Sequence, residues 1–407
     1  MTDQADSPVH QVELARRFEP TAHYPELRAR CPLHHEVDHE PPFFVLSRFD
    51  DVVDVLKRPD AWINREGPGV FFQPNGVLGT TDDPDHARHR RVLRQAFVPS
   101  AIDRLAPAVE AICDELLDEM LPLGSADFVE MFAAPLPALA IAELLGVSRG
   151  DRDDFRHWTD LAVAALTGGD IDQYQRAKQA LEDHVELGMR ARQAAVGDGP
   201  VDEAVIGDVI PDDVLSRLTV ALRNRAVSLA EARYIGYQLL VAGHETTTSL
   251  LGMMLFRLLE RPETMARLRC DRTLLPHAIE EALRFDSPVH GLFRTNPEEQ
   301  TLHGITIAPH SKLQLAYASA NRDPSQFADP DEFRIDRQRG EVGRHVAFGW
   351  GIHHCIGAPL ARLETRIAFE RIFERTAAIE LAGEPQRNDS FVLHGLTSLP
   401  IRWAVRG

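Results

Sequence analysis

Hydrophobic residues recur along this chain with two spacings. From Ala101 to Met120 and from Ser228 to Glu260 they return every three or four positions, the period of a helix that buries one face. Short runs of β-branched and aromatic residues stand elsewhere, at Pro42–Leu46, Ile305–Ile307 and Lys312–Tyr317. The pattern predicts a single domain over 1–407, helix-rich at about 81–285 and 358–376 and β-rich at about 42–80 and 286–335. Mainly α with small peripheral β-sheets is therefore the expected fold class. Val196–Pro211, rich in Gly, Asp and Val, reads as a loop between helices.

The second helical stretch has legible ends. Ser228-Leu-Ala-Glu231 is a capping box, and Arg261-Pro262 stops the run. At about 1.5 Å per residue the helix would be roughly 50 Å long. Its middle, Ala242-Gly243-His244-Glu245-Thr246-Thr247, is made of poor helix formers. Thr246 lies one turn after Ala242, so its hydroxyl can bond that carbonyl and bend the helix. Small Ala242 and Gly243 would let a flat ligand or O2 lie against the backbone. His244-Glu245 begins a zinc-protease pattern that needs a second His one turn on; position 248 is Thr, and the zinc reading fails.

A formal net charge of −18 argues against general nucleic-acid binding and against docking on anionic membranes. The four cysteines show no paired pattern, which suggests a reducing compartment. Met1–His10 has no apolar leader, and the longest apolar stretch, Met131–Val147, is interrupted by Pro135, Pro137 and Glu143. A soluble, cytoplasmic protein without a membrane span is expected.

One cysteine stands apart. Phe348-Gly-Trp-Gly-Ile-His353-His-Cys355-Ile-Gly357 is a glycine-punctuated loop running into a helix-forming segment. The glycines let the backbone curl and approach a flat ligand. The N-terminus of the following helix favours negative charge, and so the thiolate. The spacing resembles the haem-ligand loop of the cytochrome P450 family. That resemblance implies a helix-rich, single-domain P450 fold and a noncovalent b-type haem with Cys355 as the metal ligand. Phe348 and Gly357 would pack around the ring, His353 would lie near a propionate, and Ala242 and Gly243 would form the oxygen-side groove. Glu245 and Thr246 would be the acid–alcohol pair that delivers protons to oxygen.

The resemblance extends further. Glu281 and Arg284, at i and i+3, with Arg334 beyond, match the family's buried brace behind the cysteine loop. His86, Arg90 and Arg294 match its propionate contacts, and arginine suits that role because its planar fork binds carboxylate bidentately. Family analogy places substrate-pocket segments at 66–80, 161–189, 235–245, 289–293 and 391–396. They supply Val70, Phe71, Phe72, Leu78, Val241, Val289, Leu292, Phe293, Val392 and Leu393, an apolar set suited to a hydrophobic organic substrate. His290, His394, Gln73 and Asn75 are candidate polar anchors.

The implied activity is a monooxygenase that inserts one atom of O2 into such a substrate. No flavin or iron–sulfur module fits within the length. Electrons would come from NAD(P)H through a reductase and a ferredoxin or flavodoxin docking on Arg88, Arg91, Arg94, Arg344, Arg362 and Arg366. Rival readings are a peroxide-driven hydroxylase, a haem-thiolate sensor or carrier without turnover, and a cysteine hydrolase using His353 or His354. The intact Glu245–Thr246 pair counts against the first two. Nothing in the sequence supplies an oxyanion hole for the third.

Overall fold

The computed structural model describes residues 23–72, 76–148, 150, 171–388 and 392–406. It divides into two compact units. The first is Met1–Asp82, Met253–Cys355 and Gln386–Leu396; the second is Asp83–Gly252, Ile356–Pro385 and Thr397–Gly407.

A four-stranded sheet organises the first unit. Strands β1 (Leu33–Glu36) and β2 (Phe43–Leu46) pair antiparallel. Going on along the chain, β3 (Ser125–Asp127) belongs to the second unit, and β4 (Leu292–Thr295), the hairpin β5–β6 (Gln300–Leu302, Ile305–Ile307) and β7 (Lys312–Leu315) to the first. The sheet order is β1-β2-β7-β4, with β2–β7 parallel and β7–β4 antiparallel. All four residues of β2 are buried, so its alternating side chains feed two cores. Phe44 and Leu46 join Phe49, Trp62, Leu313 and Phe327 on one face, while Phe43 and Val45 join Tyr24 and Phe293 on the other. Helix Leu275–Asp286 carries the polar residues that support the cysteine loop.

The second unit is helical. Its helices include Asp85–Leu93, Ala106–Met120, Pro135–Leu145, Ile171–Val196, Val214–Arg223 and Ala358–Arg375, the last packed along Ala106–Met120. The division between units falls within the long helix Leu229–Leu259. The capping box forms as read: Ser228 N donates to Glu231 Oε2 at 2.7 Å and Glu231 N to Ser228 Oγ at 3.2 Å. No described helix is long and apolar enough to cross a membrane.

Three local expectations change. The stretch expected to be β-rich at about 42–80 holds, among its described residues, one strand, β2, and then the helix Phe49–Leu56, whose buried Phe49, Val52, Val53 and Leu56 recur at helical spacing. Ala101–Met120 is two helices, Pro99–Asp103 and Ala106–Met120, because Pro107 tolerates only the first turn of a helix and restarts it there. The sheet formed by β3, β8 (Thr376–Leu381) and β9 (Pro400–Val405), ordered β3-β9-β8, was not expected. In β8 only Thr376 and Ile379 are buried, a spacing of three that hides the strand's period of two.

Candidate active site

The cysteine loop is held at its base and closed at its tip. Val346 N donates to Asn321 Oδ1 at 2.7 Å, and Cys355 N donates to Phe348 O at 2.9 Å. Between them Gly349 and Gly351 take φ of +68° and +70°, a region where a side chain would be strained. A Cβ on Gly351 would also lie 2.9 Å from Leu56 O. The loop thus presents an exposed Cys355, while Phe348 and His353 are half-buried. Helix Ala358–Arg375 begins three residues later with Pro359 in its first turn.

Behind the loop lies a buried charge cluster. Glu281 and Arg284 are completely buried and form a bidentate pair, Nε–Oε2 and Nη2–Oε1 both 2.8 Å. Arg284 also donates to Asn321 O at 3.0 Å, and Asn321 is the residue that receives Val346 N. The ion pair therefore reaches the cysteine loop through one asparagine. Next to Glu281, Glu280 accepts from His345 Nε2 at 3.0 Å, and His345 Nδ1 accepts from Ala347 N at 3.2 Å.

The third member of the brace differs from the expectation. Arg334 contributes only its backbone N–H, 2.7 Å from Glu281 Oε1; its side chain turns outward to Asp329 and Asp336. The buried guanidinium is that of Arg337, whose Nε lies 3.0 Å from Glu281 Oε1 and whose Nη1 lies 2.9 Å from Glu341. Burial alternates along the segment: Phe333, Ile335 and Arg337 are buried, Arg334 is partly exposed and Asp336 is exposed. That alternation is visible in Phe-Arg-Ile-Asp-Arg and could have pointed to Arg337 in place of Arg334.

Arg294, on β4, is buried and donates to Phe293 O at 2.9 Å and to the Tyr317 hydroxyl. No carboxylate among the described residues pairs with it. Burial raises the Tyr317 phenol, and Arg294 draws it partly back. Tyr317 Oη also lies 3.8 Å from the position of a Cβ on Gly349, so this cation sits beside the cysteine loop.

The remaining residues expected at the site belong to the second unit. Thr246 Oγ1 donates to Ala242 O at 2.9 Å, as expected, and His244 Nε2 is 3.0 Å from Ala134 O. Ala242 is exposed, and Glu245 and Thr246 are partly so. A Cβ on Gly243 would meet only Ile141, at 3.6 Å, so this glycine serves the helix surface and not a tight internal contact. His86 and Arg90 lie one turn apart on Asp85–Leu93; His86 is buried, with Nδ1 at 3.4 Å from Asp83. Arg88, expected at the donor dock, binds Ala226 O, Asp85 and Glu231. Burial alone would raise the Glu231 carboxyl, but Arg88, Ser228 and His89 hold it down to about 2.

The pocket residues divide. Val70, Val241, Val289, Leu292, Val392 and Leu393 are partly exposed, and Leu78 is buried at φ +49°. Phe293 is completely buried against Phe43, with ring centroids 5.2 Å apart, and is core, because β4 turns it into the sheet's inner face. Phe71 and Phe72 are exposed, the latter with Lys312 Nζ 4.7 Å from its ring. His394 is no substrate anchor: Nδ1 donates to Asp286 O at 2.7 Å and Nε2 accepts from Arg387 at 2.9 Å. Its burial lowers the imidazole to about 4. His290 is buried against His394, ring centroids 4.5 Å apart. Gln73, Asn75, and the 161–170 and Phe391 parts of the pocket segments lie outside the described residues.

The cytochrome P450 family model matches residues 163–400. The chain belongs to the cytochrome P450 family. It is 38% identical to cytochrome P450 107B1 of Saccharopolyspora erythraea over 82% of this chain and 79% of that one. Identity to the P450 monooxygenase PikC of Streptomyces venezuelae is 35%, over 95% of this chain and 91% of that one. Among solved structures, P450 CYP109Q5 from Chondromyces apiculatus superposes with a TM-score of 0.84 at 30% identity, covering 97% of each chain. As a bacterial-type P450 it is a monooxygenase that oxidises a small organic substrate, using haem, O2 and electrons from redox partners.

Proposed function

We propose that this chain binds a b-type haem with Cys355 as its thiolate ligand and hydroxylates a hydrophobic substrate. The observation that carries this reading is the cysteine loop, which two positive-φ glycines shape and a buried Glu281–Arg284–Arg337 cluster supports through Asn321. The donor set fits the group: Cys355 is presented on an exposed loop, and beside it Arg294 is a buried cation without a carboxylate among the described residues. By the family resemblance, Arg294, His353, His86 and Arg90 would hold the propionates. When bound, the haem supplies reductive activation of O2 for insertion into a C–H bond.

The chain's own residues do the rest. The brace fixes the sulfur's position, and the glycine loop keeps side chains off the ring. Thr246 Oγ1, held by Ala242 O, has lone pairs left to receive a proton that the Glu245 carboxyl brings from solvent, and rotation of the hydroxyl passes it on. Val241, Val289, Leu292, Val392 and Leu393 exclude water and bind the apolar substrate. A ferredoxin or flavodoxin with its reductase, drawing on NAD(P)H in the cytoplasm, would supply electrons.

Two measurements test this. The reduced carbon monoxide complex should show a thiolate-ligated spectrum that Cys355→Ser abolishes; an unchanged spectrum would remove Cys355 from the iron. Thr246→Ala should retain haem and substrate binding but release about 10-fold or more of its electrons as peroxide or water per product formed. Coupling equal to wild type would sink the assigned role.

A further inference from the structure

The long helix is weakest where its chemistry lies. Gly243 and the consecutive threonines Thr246, Thr247 and Thr248 disfavour a helix interior. The hydroxyls of Thr246 and Thr248 turn back onto the helix itself, to Ala242 O at 2.9 Å and to His244 O at 3.1 Å. Such bonds compete with the backbone amides for those carbonyls and let a helix bend. On the side that carries the proton-delivery pair, Ala242 is exposed and Glu245 and Thr246 are partly exposed. The rotation of this segment about the helix axis must therefore be set from its buried side.

On that side Leu240, His244, Thr247 and Leu251 recur at i, i+4, i+7 and i+11, and all are buried. The packing of the leucines resists separation but has no preferred direction. His244 supplies one. Its Nε2 lies 3.0 Å from Ala134 O, and because a carbonyl can only accept, Nε2 carries the proton and donates. Ala134 is itself well fixed. Its N–H closes the π-helical turn Val129–Ala133 onto Val129 O at 2.9 Å, and it directly precedes helix Pro135–Leu145. That helix meets Gly243 as well: Ile141, seven residues after Ala134 and so on the same face, lies 3.6 Å from the position of a Cβ on Gly243.

We propose that His244 is a positioning residue for the oxygen chemistry. Its bond to Ala134 O fixes the rotation of the long helix at the residue before Glu245, and with it the direction in which Glu245 and Thr246 point. Successive side chains are set about 100° apart around a helix, so a roll at His244 is carried to the next two positions. The inference rests on the roles proposed above for Glu245 and Thr246, and adds what holds them in place.

The test compares the haem-loaded wild type, His244→Leu, His244→Gln and Thr246→Ala as reduced carbon monoxide complexes, whose C–O stretching band senses hydrogen-bond donors beside the gas. Wild type should give one narrow band. Thr246→Ala should shift it, and His244→Leu should broaden or split it as Thr246 samples more than one orientation. His244→Gln, whose amide nitrogen can take the place of Nε2, should restore the single band. Amide hydrogen exchange across residues 242–247 should rise about 10-fold in His244→Leu and stay near wild type in His244→Gln. His244→Asn, polar but too short to reach Ala134 O, provides the comparison if His244→Leu does not fold. A wild-type band with wild-type exchange in the Leu or Asn variant overturns the proposal, whatever happens to the thermal midpoint. A band left unmoved by Thr246→Ala would overturn the acid–alcohol reading itself, and this inference with it.

Discussion

Two arginines three residues apart show how finely burial separates roles. Arg337 is buried beside Glu281, whereas Arg334 reaches its neighbours Asp329 and Asp336 from the surface. Removing Arg337 leaves the Glu281 carboxylate and several backbone carbonyls short of a donor, so Arg337→Ala should destabilise by about 3–5 kcal/mol and lower haem content. Arg334→Ala keeps its backbone bond to Glu281 and should leave stability and haem content close to wild type. Urea midpoints and haem-to-protein ratios for the two variants check this; equal losses would contradict the assignment. Residue chemistry was legible in the sequence where spacing carried it: Cys355 with its glycines, and Thr246 one turn from Ala242. It was not legible for Asn321, His345 or Glu280, whose work lies in contacts between segments far apart in the chain.

At the level of elements, the long helix was readable because both its ends are local chemistry, a reciprocal cap and a proline. The segment around His394 was not, since its bonds come from Asp286 and Arg387. Asp286 is itself buried; burial would raise its carboxyl, but a bidentate contact from Arg257 holds it low. His394 stays neutral in the fold down to about pH 4, against 6.5 when unfolded. The unfolded chain therefore takes up this proton first, and the stability His394 contributes is complete above about pH 6.5 and lost as pH falls toward 4, by about 3 kcal/mol. Urea midpoints from pH 7 to 4 should fall, and less so in His394→Gln. An imidazole seen by NMR to titrate above pH 6 would refute the linkage.

Across the whole molecule, an excess of 18 negative charges makes the placement of exposed arginines informative. Among the expected docking residues, Arg88 is already engaged by Asp85 and Glu231, and Arg366 by Glu370. Arg91, Arg94 and Arg344 are exposed. Arg94→Glu should slow reduction by an acidic donor about 10-fold at low salt, with the difference shrinking as ionic strength rises, whereas Arg366→Glu should do less. Stopped-flow reduction against salt concentration separates the two; equal effects would argue against a dock centred on Arg94. A consequence of a different kind follows from Arg294. A carboxylate ligand that supplies the missing counter-charge binds the native chain and not the unfolded one, so mass action ties the chain's lifetime to cofactor supply. With free ligand at 100 times its Kd the gain is about 2.7 kcal/mol. In a cell short of haem, the same polypeptide should be cleared by proteases sooner, and Arg294→Leu should weaken that dependence.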